Sequence, residues 1–202
     1  MKTENKHLDD YIDSLESNGE KVTNSAKLKE WDLILNEVCD NVYSWPLLTK
    51  HFCNHIICQA EKYGNWTEGR HEFYPTHDMT LDTIGLQDEY CEILKEYVYP
   101  AAIHKWNLEG KTWKNLNFEN FIIKYLPDKQ SHLSLHHDNS RVTAVVALND
   151  EFEGGGTYFE RQKALHKNPL GHVSIHPGSI THRHGARPIT SGVRYILVTF
   201  SN

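Results

Sequence analysis

From residue 118 to the end, the chain carries five runs rich in β-branched and aromatic residues: FENFIIKYL, SRVTAVVALN, GTYFER, GHVSIHP and VRYILVTF. Pro, Gly, Asn and Asp part them, and no helical pattern lies between them. Parallel strands need long, usually helical, crossovers, so closely spaced strands divided by turn residues point to antiparallel pairing. The expected architecture is therefore α+β and mainly β, a sandwich or jelly roll with helices packed outside one sheet.

The helices come earlier in the chain. From Thr49 to Tyr63 the apolar positions Phe52, Ile56, Ile57 and Ala60 fall at helical spacing, with Thr49 placed to cap the start and Gly64 to end it. A second stripe, Tyr90, Ile93, Leu94, Tyr97 and Val98, predicts a helix over about 86–106, broken or kinked at Pro100. Residues 1–28 are mostly Lys, Glu, Asp, Asn and Ser and read as a mobile leader, which leaves 29–202 as one domain. A chain of 202 residues with 39% hydrophobic content can bury one good core and is short for two.

A net charge of −6 and a pI near 6.1 argue against a surface built to neutralise phosphates, so nucleic acid is not an expected partner. The sequence predicts no transmembrane segment and no secretory signal at its start. The four cysteines, Cys39, Cys53, Cys58 and Cys91, all lie in the first half and form no C-x-x-C pair, which disfavours a thiolate metal site. A Cys39 to Cys53 disulfide and buried free thiols are both compatible with their spacing.

Histidine is distributed differently: eight of the fourteen lie between His132 and His184. Within Leu135-His136-His137-Asp138, ahead of a strand, alternation turns His136 and Asp138 to one side and His137 to the other. Two imidazoles and one carboxylate on one face of an octahedron make the triad of non-haem iron(II) oxygenases, with three positions left for a chelating co-substrate and O2. His176, His182 and His184 are the candidates for the third ligand. Arg194, ten residues beyond His184 at the start of an apolar strand, selects His184. Its fork suits the distal carboxylate of a dicarboxylate held at the metal. Tyr125, eleven residues before His136, can donate a hydroxyl to that carboxylate if its strand neighbours that of Arg194.

Any one of these pieces alone is ordinary; a lone H-x-D is most often structural. Their order carries the assignment: H-x-D, a strand, Gly154-Gly155-Gly156, then His184 and Arg194 in a β-rich context. The glycine run reads as a turn or a close backbone approach, since no Gly-Lys-Ser/Thr segment follows it to cradle phosphate.

In these residues the chain resembles the 2-oxoglutarate dioxygenases, and among them the catalytic domain of the procollagen lysyl hydroxylases. SWPLLTKHFC with KYGNW, IIKYLPDKQSHLSLHHDNS, VALN with EGGGTYF, and HPGSITHRHGARPITSGVRYILVTF carry the likeness over most of residues 38–201. The resemblance implies a double-stranded β-helix and hydroxylation of lysine at C5 in collagen-like Gly-X-Lys sequences. It also implies use of Fe(II), 2-oxoglutarate and O2 with L-ascorbate as reductant, and a homodimer. His136, Asp138 and His184 would be the iron ligands and Arg194 the carboxylate anchor. The animal enzymes are longer and work in the endoplasmic reticulum, so the expected setting is that lumen if this chain is part of a longer protein, and otherwise a soluble one. The turn between Leu148 and Gly154 is shorter than usual for the family, and His172 stands where a larger apolar residue is usual.

A lysine substrate brings an ammonium, which an acidic rim would hold; Asp78, Glu151 and Glu153 are the candidates. The alternatives are a related dioxygenase acting on proline or another side chain, a β-helix protein with a structural metal, and a zinc hydrolase on the same three ligands. A dicarboxylate clamp at Arg194 argues against the last two.

Overall fold

A computed structural model describes residues 31–71, 73–106, 108 and 117–202. The expected leader at 1–28 lies outside them. In the first half, a short helix α1 (Trp31–Ile34) leads into strands β1 (Asn36–Cys39) and β2 (Val42–Pro46), followed by helix α2 (Lys50–Tyr63) and strand β3 (Asp78–Thr80). Helix α3 (Gln87–Ile93), a π-helical turn (Leu94–Val98) and helix α4 (Tyr99–Trp106) complete it. Then come β4 (Phe118–Tyr125), β5 (Leu133–His136), β6 (Val142–Ala147), β7 (Phe152–Gly154), β8 (Thr157–Phe159) and β9 (Ala164–His166). The chain closes with β10 (His172–Pro177), β11 (His184–Ala186), β12 (Ile189–Gly192) and β13 (Arg194–Ser201).

Seven strands form one sheet in the order β1-β2-β10-β6-β13-β4-β3, and four form a second in the order β5-β11-β8-β9, with β12 and β7 paired apart. Every pairing is antiparallel, which gives the jelly roll its two facing walls. The period of two along β4 and β13 sorts residues between two cores. Ile122, Val146, Val173, Ile175 and Leu197 pack outward against Phe52, Ile56, Tyr90 and Ile93 of the helices. Phe121, Ile123, Tyr125, Val145, Ile196 and Val198 point inward, between the sheets.

Helix α2 follows local chemistry. Thr49 Oγ1 accepts the Phe52 N–H at 3.2 Å, and Gly64, at φ 74°, ends the helix with its N–H on Ala60 O. Phe52, Cys53, Ile56 and Ala60 form its buried face. The second helical stripe is not one helix. Its backbone opens into the π-helical turn at Leu94–Val98, just before Pro100, which has no N–H to donate and sits in the first turn of α4. Three strands that the pattern did not announce, β1 to β3, join the large sheet from the helical half. The four cysteines are unpaired, Cys53 fully buried and Cys58 exposed. Among the described residues no helix is long and apolar enough to cross a membrane.

Candidate metal and co-substrate site

The two histidines of the site face each other because their strands are paired: in the β5–β11 ladder, His136 and His184 are directly opposite, their rings 4.6 Å apart. Both rings are anchored in the same way. His136 Nδ1 lies 2.7 Å from Ser134 O and His184 Nδ1 lies 2.9 Å from His182 O. A carbonyl can only accept, so each Nδ1 carries the hydrogen and each Nε2 is left with its lone pair free. Both Nε2 atoms turn to Asp138: His136 Nε2 is 3.2 Å from Oδ1 and His184 Nε2 is 3.6 Å from Oδ2. One donor atom from each of the three residues lies within 4.8 Å of the others, all on buried or nearly buried side chains. His137, as alternation requires, turns out and meets Ile180 O at 3.1 Å.

Burial by itself would push the Asp138 carboxyl up, but the imidazoles of His184 and His136 hold it well below the usual carboxylate range. His136 is also disfavoured as a cation by burial, yet its hydrogen bond to Asp138 outweighs this and raises its pKa. Burial prevails at His184, which is lowered. Asp138 is thus held as an anion facing both imidazoles, the charge a bound cation would meet. His176 and His182, the other candidates for a third ligand, lie outside the triad. His176 is fully buried, its ring set edge-on to that of His184 at 4.7 Å, and burial pushes its pKa down to about 3. His182 Nε2 instead meets Asp40 O at 3.1 Å.

Arg194 opens β13 directly opposite Tyr125 of β4, so the condition placed on Tyr125 is met. The guanidinium carbon lies 5.3 Å from the Tyr125 ring and 5.9 Å from that of Phe152, the side chain is only 5% exposed, and Nη1 has no hydrogen-bond partner among the described residues. A buried cation with an idle donor is costly unless an anion completes it. Burial raises the Tyr125 phenol to about 12, so it remains a hydrogen-bond donor. The glycine run makes room here: Gly155, at φ +65°, would bring a Cβ within 3.3 Å of Arg194 Cδ and 3.0 Å of Phe152.

A cavity of about 540 Å³ lies between the sheets, lined by the triad together with Ile123, Tyr125, Thr143, Val145 and Ile196. Its outer wall comes from the helical half, through Arg70, His71, Phe73 and Tyr74, with the Tyr74 ring 5.0 Å from that of His136. No spacing rule pointed to these residues, because the contact joins segments about sixty residues apart in sequence. The three expected rim carboxylates are placed otherwise. Asp78 is fully buried and serves Arg70 Nε at 2.7 Å and the hydroxyls of Thr67 and Thr76, so it is an internal ion-pair acceptor. Glu151 and Glu153 are exposed and do not line the cavity. The donor set, its open face on a cavity and the unpartnered guanidinium together fit a metal ion with a chelating dicarboxylate.

No family model matches the chain. It is 35% identical over 190 residues to the multifunctional procollagen lysine hydroxylase and glycosyltransferase LH3 of Rattus norvegicus, a match covering 88% of this chain and 25% of that protein. The procollagen lysyl hydroxylase and glycosyltransferase of Acanthamoeba polyphaga mimivirus is 37% identical over 185 residues, covering 85% and 20%. The chain thus spans about a quarter of the length of these relatives or less. Among solved structures, a Pseudomonas putida prolyl-4-hydroxylase superposes with a TM-score of 0.62 at 13% identity, covering 88% of this chain and 97% of that one. The viral collagen prolyl hydroxylase of Paramecium Bursaria Chlorella virus-1, in its 2OG complex, gives 0.55 at 18%, covering 80% and 96%. At such identities these structures establish the fold.

Proposed function

On the footing that this chain is a homologue, over 88% of its length, of the procollagen lysine hydroxylases, we propose that it is an iron(II)- and 2-oxoglutarate-dependent dioxygenase that hydroxylates lysine at C5 in collagen-like Gly-X-Lys sequences. The observation that carries this reading is the buried His136, Asp138 and His184 donor set on a cavity whose wall includes Tyr125, the ring against which Arg194 packs with its Nη1 lacking a hydrogen-bond partner among the described residues. The catalytic unit is placed at residues 29–202.

His136, Asp138 and His184 hold the iron in this reading, and Arg194 with the Tyr125 hydroxyl anchors the distal carboxylate of 2-oxoglutarate. Once bound, iron and 2-oxoglutarate supply the oxidising chemistry: the oxo acid leaves as CO2 and succinate, and one oxygen atom of O2 goes to the lysine carbon. The chain's own part is to position and to exclude. Ser134 O and His182 O fix the imidazole tautomers, so both Nε2 lone pairs are ready for the metal. Ile123, Val145 and Ile196 give the cavity an apolar wall beside Tyr125, which lowers the local dielectric for a bound dicarboxylate. Phe73 and Tyr74 stand at the cavity on the side of His136, where a polypeptide would approach. L-ascorbate as reductant, a homodimer as the working form, and the endoplasmic reticulum lumen as the setting if the chain is part of a longer secretory protein all rest on the family likeness.

Mass spectrometry of products from Gly-X-Lys and proline-rich collagen-like peptides tests the assignment. One added oxygen on lysine C5 is the expected result. Oxygen on proline alone would overturn the substrate while leaving the dioxygenase in place.

A further inference from the structure

The triad explains which atoms reach a metal, but not why the Asp138 carboxylate presents itself as it does. Asp138 Oδ2 accepts the Thr143 hydroxyl at 2.6 Å. The same Thr143 Oγ1 lies 2.7 Å from Ser140 Oγ. A hydroxyl has one proton, and an ionised carboxylate has none to give. The Thr143 proton is therefore spent on Asp138, and Ser140 must be the donor to Thr143. The relay has one direction, from Ser140 through Thr143 to Asp138, and all three side chains are at most 7% exposed.

We propose that Thr143 is a positioning residue that commits Asp138 to a single ligating oxygen. Resting on the iron and 2-oxoglutarate reading above, this deepens it: Oδ2, the oxygen nearer His184, is engaged by Thr143, and Oδ1 beside His136 is left as the ligand. A carboxylate free to use both oxygens would take a further coordination position, one of the three a chelating oxo acid and O2 require. The backbone locks this arrangement. Asp138 N–H donates to Gly178 O at 3.0 Å and Gly178 N–H donates to Arg141 O at 3.1 Å. A Cβ at Gly178 would fall 2.0 Å from Ser140 Oγ and 2.4 Å from Ser140 O. The glycine of the His176-Pro177-Gly178 turn therefore lets the Asp138 loop close far enough for the relay to form. Thr143 itself is held in register opposite His176 of β10.

The test uses the full chain with cobalt(II), whose visible spectrum reports coordination number without turnover. Thr143→Val, which keeps the shape and removes the hydroxyl, is expected to weaken cobalt binding about 10- to 100-fold and to change the spectrum of the bound ion and its response to added 2-oxoglutarate. Thr143→Ser is expected to restore both, and Ser140→Ala to give a smaller loss of the same kind even if the valine variant does not fold. A folded Thr143→Val protein with wild-type affinity and spectrum would overturn the proposal. Failure of the unaltered protein to bind cobalt would instead overturn the triad reading beneath it.

Discussion

Replacing Arg194 by Met should move two properties in opposite directions. The guanidinium is 5% exposed, Nη1 is unpaired among the described residues, and burial lowers its pKa against an opposing influence from the Tyr125 hydroxyl. Arg194 is thus a buried cation with no anion beside it among the described residues, a state costing several kcal/mol of desolvation. A Met of similar length keeps the aliphatic stem between Tyr125 and Phe152 and removes the charge. The metal-free variant is expected to be as stable as the parent or more stable by about 1–3 kcal/mol. Co-substrate affinity should fall steeply, because two charge-assisted hydrogen bonds at about 1.5–3 kcal/mol each are lost. At about 1.4 kcal/mol per decade, that is roughly a 10²- to 10⁴-fold weaker Kd. Urea unfolding of the metal-free proteins and anaerobic calorimetry of the metal-loaded ones with 2-oxoglutarate measure the two effects. A variant that is markedly less stable yet binds 2-oxoglutarate normally would show that Arg194 serves the core, and would refute the reasoning.

Gly155→Ala sets a Cβ against Phe152, Ile189 and Arg194 at a φ of +65°, so a loss of about 1–3 kcal/mol in thermal or urea stability is expected, together with weaker 2-oxoglutarate binding. Burial pushes the Cys53 thiol up to about 12; alkylation of the native protein should therefore label the exposed Cys58 readily and Cys53 only on unfolding, as peptide mapping would show. Burial also lowers His71, His77, His166, His172, His176, His182 and His184 below the ordinary histidine value. In the unfolded chain these groups take up protons below about pH 6.5 while the folded protein does not, so the metal-free protein should lose stability as pH falls from about 6.5. The loss from His176 alone continues to about pH 3. His136, raised by Asp138, contributes with the opposite sign and is outnumbered. Flat urea midpoints from pH 7 to 4 would contradict this.

What could be read from residues alone followed the range of the interaction. Helix α2 was legible because Thr49, the apolar stripe and Gly64 act within a few residues of one another. The five β-rich runs were legible by composition, but β3, β7, β9 and β11 are three residues each, too short to show a period of two. They form because partners distant in the chain complete their hydrogen bonds. The H-x-D spacing and the arginine after His184 pointed to the candidate site, and the ladder that sets His136 against His184 supplied what spacing could not. Asp78 was misplaced as a rim charge for a related reason. An acid reads as exposed until its cation is known, and Arg70 reaches it from a neighbouring loop. Tyr74 and Thr143 carried no local signal, since each matters only through a residue brought to it by the fold.

The most direct test of the central claim is the stoichiometry of succinate and hydroxylysine formed by the iron-loaded protein from 2-oxoglutarate and a Gly-X-Lys peptide under air, beside an Asp138→Ala control. Equal amounts of both products, absent in the control, are predicted. Succinate without hydroxylysine would contradict the lysine assignment, and neither product from an iron-bound protein would contradict the dioxygenase itself.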